Sequence, residues 1–122
     1  MHINIFDDPS KVPQPRADIR IEHLEAHVQP DRYRVRADLR VTAFQERPNL
    51  ILALVNDQTG AVVHEMNVIG MMQAQMEFTF HIRGKDDPAG GYRLEVELFY
   101  ESRNPPQDRR TLQVTIPAET DA

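Results

Sequence analysis

Apolar and polar residues alternate along much of this chain, and the alternation predicts β-strands. The clearest run covers residues 32–43, where six polar positions alternate with six apolar ones. A period of two places successive side chains on opposite faces of a strand, whereas a helix repeats every 3.6 residues. A run of equal length covers residues 72–83, and a shorter one covers residues 92–100. We expect one face of each strand to lie in a core and the other in water.

Two segments depart from simple alternation in informative ways. Residues 50–55 are apolar at every position, which predicts a central strand buried on both faces. The apolar positions change phase at His23, which predicts a β-bulge there. Gly, Pro, Asn and Asp cluster between the alternating runs and predict turns. The pattern predicts seven strands over residues 17–117 and therefore an all-β, antiparallel sandwich.

The two ends of the chain differ from this middle part. Pro9, Pro13 and Pro15 break up residues 1–16, which we interpret as a Pro-rich N-terminal arm or linker. Within the arm, Ile3 and Ile5 alternate with polar neighbours and predict a short strand that docks on this chain or on a partner. Residues 118–122 form a C-terminal tail. The domain itself is predicted to span residues 17–117.

One segment of the sequence resembles a known structural corner. Residues 87–96 (DPAGGYRLEV) resemble the approach to strand F in immunoglobulin-like and fibronectin type III domains. In that superfamily a tyrosine near the start of strand F hydrogen-bonds to the upstream loop. The resemblance implies that Tyr92 is the structural corner and that the seven strands are A, B, C, C′, E, F and G. It indicates no specific subfamily, because the sequence lacks a cysteine pair and a strand-C tryptophan.

Composition narrows the function classes. The net charge of −5 argues against nucleic-acid and anionic-membrane partners. The chain has no cysteine, which excludes disulfides, thiolate metal sites and cysteine nucleophiles. No apolar stretch approaches the roughly 18 residues of a membrane helix, and no signal peptide is evident. We expect a soluble, cytoplasmic protein.

The sequence predicts no metal site and no cofactor. His23 and His27 lie four residues apart, about 13 Å on a regular strand, which is too far to share one ion. His64 and His81 have no evident third ligand. Core filling is the expected role of four methionines near one turn: Met66, Met71, Met72 and Met76. Turn chemistry explains the loop aspartates without calcium.

The sequence contains no pattern of residues that indicates catalysis. The two serines, Ser10 and Ser102, lie in no nucleophile motif. The outward pair Glu95 and Glu97 on the predicted strand F would need a concave face to act as catalytic carboxylates, and a flat sheet does not provide one. We therefore expect a protein that is not an enzyme.

Charged residues form a row on the second predicted strand. Four outward arginines are predicted to face acidic residues of the neighbouring strands. The arginines are Arg32, Arg34, Arg36 and Arg40, and the acidic residues are Glu22, Glu25 and Glu77. Cross-strand ion pairs are the favoured interpretation because opposite charges stabilise adjacent strands. Binding of a phosphate chain is the alternative.

An apolar patch is predicted on the outer face of the C, F and G sheet. Its anchors are Ile51, Val55, Val63 and Phe99. Contiguous exposed apolar residues mark interaction surfaces, so we expect a non-catalytic protein-interaction module that binds a protein partner or forms a homodimer through this face or an edge strand. The alternative is that the N-terminal arm folds back and covers the patch.

A second hypothesis places function in the loops. The predicted loop 102–110 carries Arg103, Arg109 and Arg110. Loops at one end of a sandwich often carry binding sites, so these arginines are candidates for binding a small ligand or a carbohydrate.

Overall fold

The computed structural model describes residues 12–119, which form seven strands and one short 3₁₀ helix. The helix is Arg16–Asp18, and the strands are β1 (Ile21–Val28), β2 (Arg34–Val41), β3 (Asn49–Asn56), β4 (Val62–Val68), β5 (Gln75–His81), β6 (Gly90–Phe99) and β7 (Asp108–Ile116). Among the described residues, no helix has the length and apolar character that crossing a membrane requires.

The strands form two antiparallel sheets. The first has three strands in the order β1-β2-β5, and the second has four in the order β4-β3-β6-β7. Strands β4 and β5 are consecutive along the chain but belong to different sheets, as are β2 and β3, so the connections cross between the two layers. The prediction of a seven-stranded, all-β sandwich is confirmed.

The core lies between the sheets, where the alternating patterns predicted it. On β2 the apolar side chains are buried and the polar ones are exposed or half-buried. Strand β6 alternates in the same way, with its inward row entirely buried from Tyr92 to Leu98. Residues 50–56 of β3 are all buried, because this strand lies between β4 and β6 and loses exposure on both faces.

The predicted bulge is present in β1. The pairing of β1 with β2 shifts register between Ile21 and His23, so two residues of β1 occupy the space opposite one on β2. This shift keeps Ile21 and Leu24 on the core side, where both are buried. The phase change in the sequence therefore has the cause that the pattern indicated.

The part of the predicted arm that the structure describes docks on the domain. Gln14 forms a parallel bridge with Phe44, and its backbone N–H donates to the carbonyl of Ala43 at 2.8 Å. The Arg16 guanidinium pairs with Glu46 at 2.7 Å and lies 4.7 Å above the Tyr100 ring. Residues 1–11 and 120–122, including Ile3 and Ile5, lie outside the described residues.

Candidate functional site

The outer face of the four-stranded sheet does not present the predicted apolar patch. Ile51 is 9% exposed and Val55 is 4% exposed. Ile51 lies directly between Asn67 and Glu97 of the flanking strands, and the flanking polar side chains shield the apolar row from water. The prediction that Ile51 and Val55 are open to a partner is therefore wrong, because periodicity shows which face a residue is on but not what its lateral neighbours cover.

A second bulge changes the direction of Val63. The pairing of β3 with β4 shifts between Leu54 and Val55, so that Leu54 lies opposite His64 and Val55 lies opposite Val62. Val63 is the extra residue, and it packs against the core, while Val62 is 55% exposed. The prediction that Val63 faces outward is therefore wrong, and Val62 is the residue that faces outward. Phe99, opposite Asn49 at the end of β6, is half-buried.

The three candidate arginines do not converge in one loop. Arg109 and Arg110 lie in β7, and Arg103 lies in the loop before it. Arg103 and Arg109 donate to the two oxygens of Glu97, at 2.7 and 3.0 Å. Arg110 instead donates to the carbonyl of Ile21 at 2.6 Å, at the junction of the two sheets.

The Glu97 carboxyl is the centre of this arginine pair. Partial burial of Glu97 favours its neutral form, but the hydrogen bonds from Arg103 and Arg109 outweigh burial and lower its pKa below the ordinary glutamate value. The arrangement holds a carboxylate between two guanidinium groups, which is the geometry these groups use to bind carboxylates.

The corner tyrosine makes the contact that the resemblance implied. Tyr92 is fully buried, and its hydroxyl donates to the carbonyl of Pro88 at 2.7 Å. Nearby, Arg32 holds the C-terminal end of the domain together: it donates to the carbonyl of Pro117 at 2.9 Å and to Asp87 at 2.8 Å. Both residues connect the loops at this end of the domain.

The turn between β4 and β5 carries exposed apolar side chains that the sequence did not assign to a site. Ile69 is 78% exposed and Met72 is 69% exposed. Between them, Met71 is fully buried, and its backbone N–H donates to the carbonyl of Pro48 at 2.8 Å. Gly70 has a φ of +67°, which favours glycine, and its N–H donates to Asn49 Oδ1 at 2.8 Å. The backbone that carries these two exposed apolar side chains is therefore anchored to the domain.

The core role predicted for the methionines holds for three of them. Met66 and Met76 pack against the core, and Met71 lies within it. Met72 does not, because β5 begins at Gln75 rather than at residue 72. The alternating pattern continues from the strand into the turn, so it does not indicate where β5 begins.

One imidazole connects the edge strands of the two sheets. His64 Nδ1 on β4 accepts a hydrogen bond from the backbone N–H of His81 on β5, at 2.8 Å. The His64 ring also packs edge-on against Phe80, with ring centroids 5.5 Å apart. Burial, together with the charges of His81 and Arg83, lowers the pKa of His64 below 6.5. The ring is consequently kept neutral, which this acceptor role requires. We call β4, β5 and their connecting turn the β4–β5 side.

Comparison with known proteins identifies the fold but no family. Neither a family model nor a curated protein matches the chain. A solved structure of Bifidobacterium dentium β-glucuronidase complexed with coumarin-3-O-glucuronide is similar, with a TM-score of 0.54 and 16% identity. The similarity covers 81% of this chain but 18% of that enzyme. The fold resembles a β-sandwich part of a larger protein.

A β-glucuronidase from Ruminococcus gnavus in complex with D-glucaro-d-lactam is a weaker match. Its TM-score is 0.45 at 12% identity, with 81% of this chain and 16% of that chain covered. This chain therefore spans less than a fifth of either enzyme. The similarity to the Bifidobacterium dentium enzyme, at 16% identity, shows a shared fold and nothing about activity.

Proposed function

We propose that this chain is a non-catalytic, immunoglobulin-like protein-interaction module that self-associates through its β4–β5 side. The sheet orders β1-β2-β5 and β4-β3-β6-β7 correspond to A-B-E and C′-C-F-G, which supports the immunoglobulin-like assignment. The proposed partner is a second copy of the chain, as edge strands with free backbone groups readily pair with one another.

The exposure of Ile69 and Met72 is the observation that carries this proposal. Single exposed apolar residues are common, but these two flank a fully buried anchor and adjoin the end of an edge strand. A preorganised turn gives up little conformational entropy on binding, so apolar area buried there contributes efficiently to affinity. We therefore propose the interface on the β4–β5 side and not on the sheet face that the sequence predicted.

The experiment is light scattering on a sizing column with the full chain and two variants. The double variant Ile69→Asp, Met72→Gln removes the exposed apolar pair, and Phe99→Glu tests the sheet face. We expect a mass above that of a monomer for the native chain, loss of that mass in the double variant, and no change in Phe99→Glu. A monomeric native chain at every concentration, or dissociation by Phe99→Glu alone, would contradict the proposal.

Binding of an acidic sugar is a second candidate function, favoured by the two arginines on Glu97. The guanidinium groups of Arg103 and Arg109 hold a carboxylate already, and a uronate could replace that of Glu97. The β-glucuronidase with a similar fold was solved with a glucuronide, which suggests this class of ligand. Titration with glucuronic acid should then shift the Arg109 side-chain resonances, more strongly in Glu97→Gln, and unchanged resonances in both proteins would exclude this function.

A further inference from the structure

The outer face of the three-stranded sheet carries three carboxyl groups in one row. Glu25, Asp38 and Glu77 lie directly opposite one another across β1, β2 and β5. Like charges at opposed positions destabilise a sheet unless a cation lies between them. The predicted arginine ladder supplies two long pairs on this face, Arg40 with Glu22 at 3.4 Å and Arg36 with Asp38 at 3.6 Å, and the second is the arginine contact to the row among the described ion pairs.

His27 joins two of these acids in a cluster. Its Nε2 lies 3.3 Å from Glu25 Oε2 and 3.3 Å from Asp38 Oδ2. One ligand atom from each of the three residues lies within 4.8 Å of the others. A tetrahedral zinc ion with bonds of about 2.0–2.1 Å holds its ligand atoms about 3.3 Å apart. Two of the three separations thus already match those of zinc ligands.

The ion pairs of the cluster are among the longer ones on the described surface, where Arg40–Glu22 and Arg93–Glu95 lie at 3.4 Å. Arginine–carboxylate pairs such as Arg34–Asp31 and Arg103–Glu97 have N–O distances of 2.7 Å. By contrast, Arg36 lies 3.6 Å from Asp38, and the His27 contacts exceed the roughly 2.7–2.9 Å of a charge-assisted hydrogen bond. The side chains of the cluster approach one another without short hydrogen bonds, a spacing that is compatible with a shared ion.

Space for further ligands adjoins the cluster. A surface depression of about 380 Å³ is lined by Asp38, Gln75 and Glu77 among others. Three protein ligands leave at least one coordination position for water, and the depression provides room for it. Glu77 adds negative charge at its wall.

We propose that Glu25, His27 and Asp38 form a binding site for a divalent metal ion of the zinc class. One imidazole and two carboxylates favour Zn²⁺ over Mg²⁺ and Ca²⁺, which prefer oxygen ligands alone. The expectation that His23 and His27 cannot share an ion does not bear on this site, because the other ligands come from Glu25 and from the neighbouring strand. Arg36 competes with the metal for Asp38 and moves away when the ion binds.

Calorimetric titration of the full, untagged chain with Zn²⁺ tests the site. We expect one ion per chain, weaker binding of Mg²⁺, and a shift of the His27 ring resonances in NMR spectra on zinc addition. His27→Gln and Asp38→Asn should each weaken zinc binding at least about tenfold. Arg36→Gln should strengthen it, since the variant removes the competing cation.

Matched controls separate this site from general zinc binding. Glu65→Gln removes one exposed carboxylate from β4, and His81→Gln removes one imidazole from β5; both should bind zinc as the native chain does. With a chelator present, Asp38→Asn should be at least as stable as the native chain, because it relieves repulsion in the acidic row. Unchanged zinc affinity in His27→Gln and Asp38→Asn, or equal losses in the two controls, would overturn the proposal.

Discussion

The sandwich has two lateral sides at which an edge strand of one sheet meets an edge strand of the other, and different contacts hold each side together. On the side where β1 meets β7, charged and amide side chains bind the backbone directly: Asp108 accepts from the N–H of Ile21 at 2.8 Å, and Arg110 donates to its carbonyl at 2.6 Å. Gln107 adds two donations, to the carbonyls of Arg16 and Ile19. On the β4–β5 side, one side-chain hydrogen bond joins the edge strands among the described residues, from the N–H of His81 to His64, and the His64 ring packs against Phe80.

The difference separates a structural side from one available for binding. Charged and amide side chains close the β1–β7 side, whereas an imidazole closes the other. The exposed residues Val62, Ile69 and Met72 all lie on the β4–β5 side. This difference fits our proposal that the partner binds at the β4–β5 side.

The largest expected effect comes from the anchor of the β4–β5 turn. Met71→Ala should lower the free energy of unfolding by about 2–5 kcal/mol, because it leaves a cavity where a fully buried side chain packs. Met72→Ala is the matched control and should change stability by less than about 0.5 kcal/mol, because its side chain is exposed. Urea denaturation of both variants measures the difference, and equal losses would mean that Met71 is not an anchor.

The second largest loss of stability is expected when a contact of the β1–β7 side is removed. Asp108→Ala should lower the free energy of unfolding by about 1.5–3 kcal/mol, since the part-buried N–H of Ile21 loses a charged acceptor. Amide hydrogen exchange should show faster exchange at Ile21 while protection in β4 stays unchanged. Similar acceleration on both sides would show that the two sides are not independent.

A smaller effect is the pH dependence of stability that we expect from His64 on the β4–β5 side. The lowered pKa of His64 means that the unfolded chain binds this proton more readily than the folded one, so the native chain loses stability as pH falls below 6.5 and gains nothing further above it. His64→Gln should remove this part of the pH dependence and lower the free energy of unfolding by about 1 kcal/mol at neutral pH. Denaturation at several pH values checks both, with His81→Gln as the control. A parallel pH dependence in the native chain and His64→Gln would show that His64 does not carry it.

The sequence predicts the strands of this fold more reliably than the surface. Alternation in β2 and β6, continuous apolar character in β3 and the phase change at His23 each correspond to the observed structure, because burial between two sheets imposes a period of two. The bulge at Val63 left no such mark, since both its neighbours in sequence are compatible with either face. Shielding of Ile51 depends on Glu97, a residue 46 positions away, which periodicity cannot reveal.

The site residues were harder to predict for the same reason. Glu25, His27 and Asp38 come together through the register of β1 with β2, and spacing along one strand gives no information about such pairs. Exposure of Met72 depends on where β5 begins, and the apolar pattern extends beyond that point. Features that depend on pairing between strands therefore required the structure.

Amide hydrogen exchange of the native chain at low and at high protein concentration tests the central claim most directly. If the chain self-associates through the β4–β5 side, protection should rise with concentration in β4, in β5 and around Gly70, and stay constant in β1 and β7. The rise should disappear in the double variant Ile69→Asp, Met72→Gln. Concentration-dependent protection centred on β1, β7 or Phe99, or none at any position, would contradict the account.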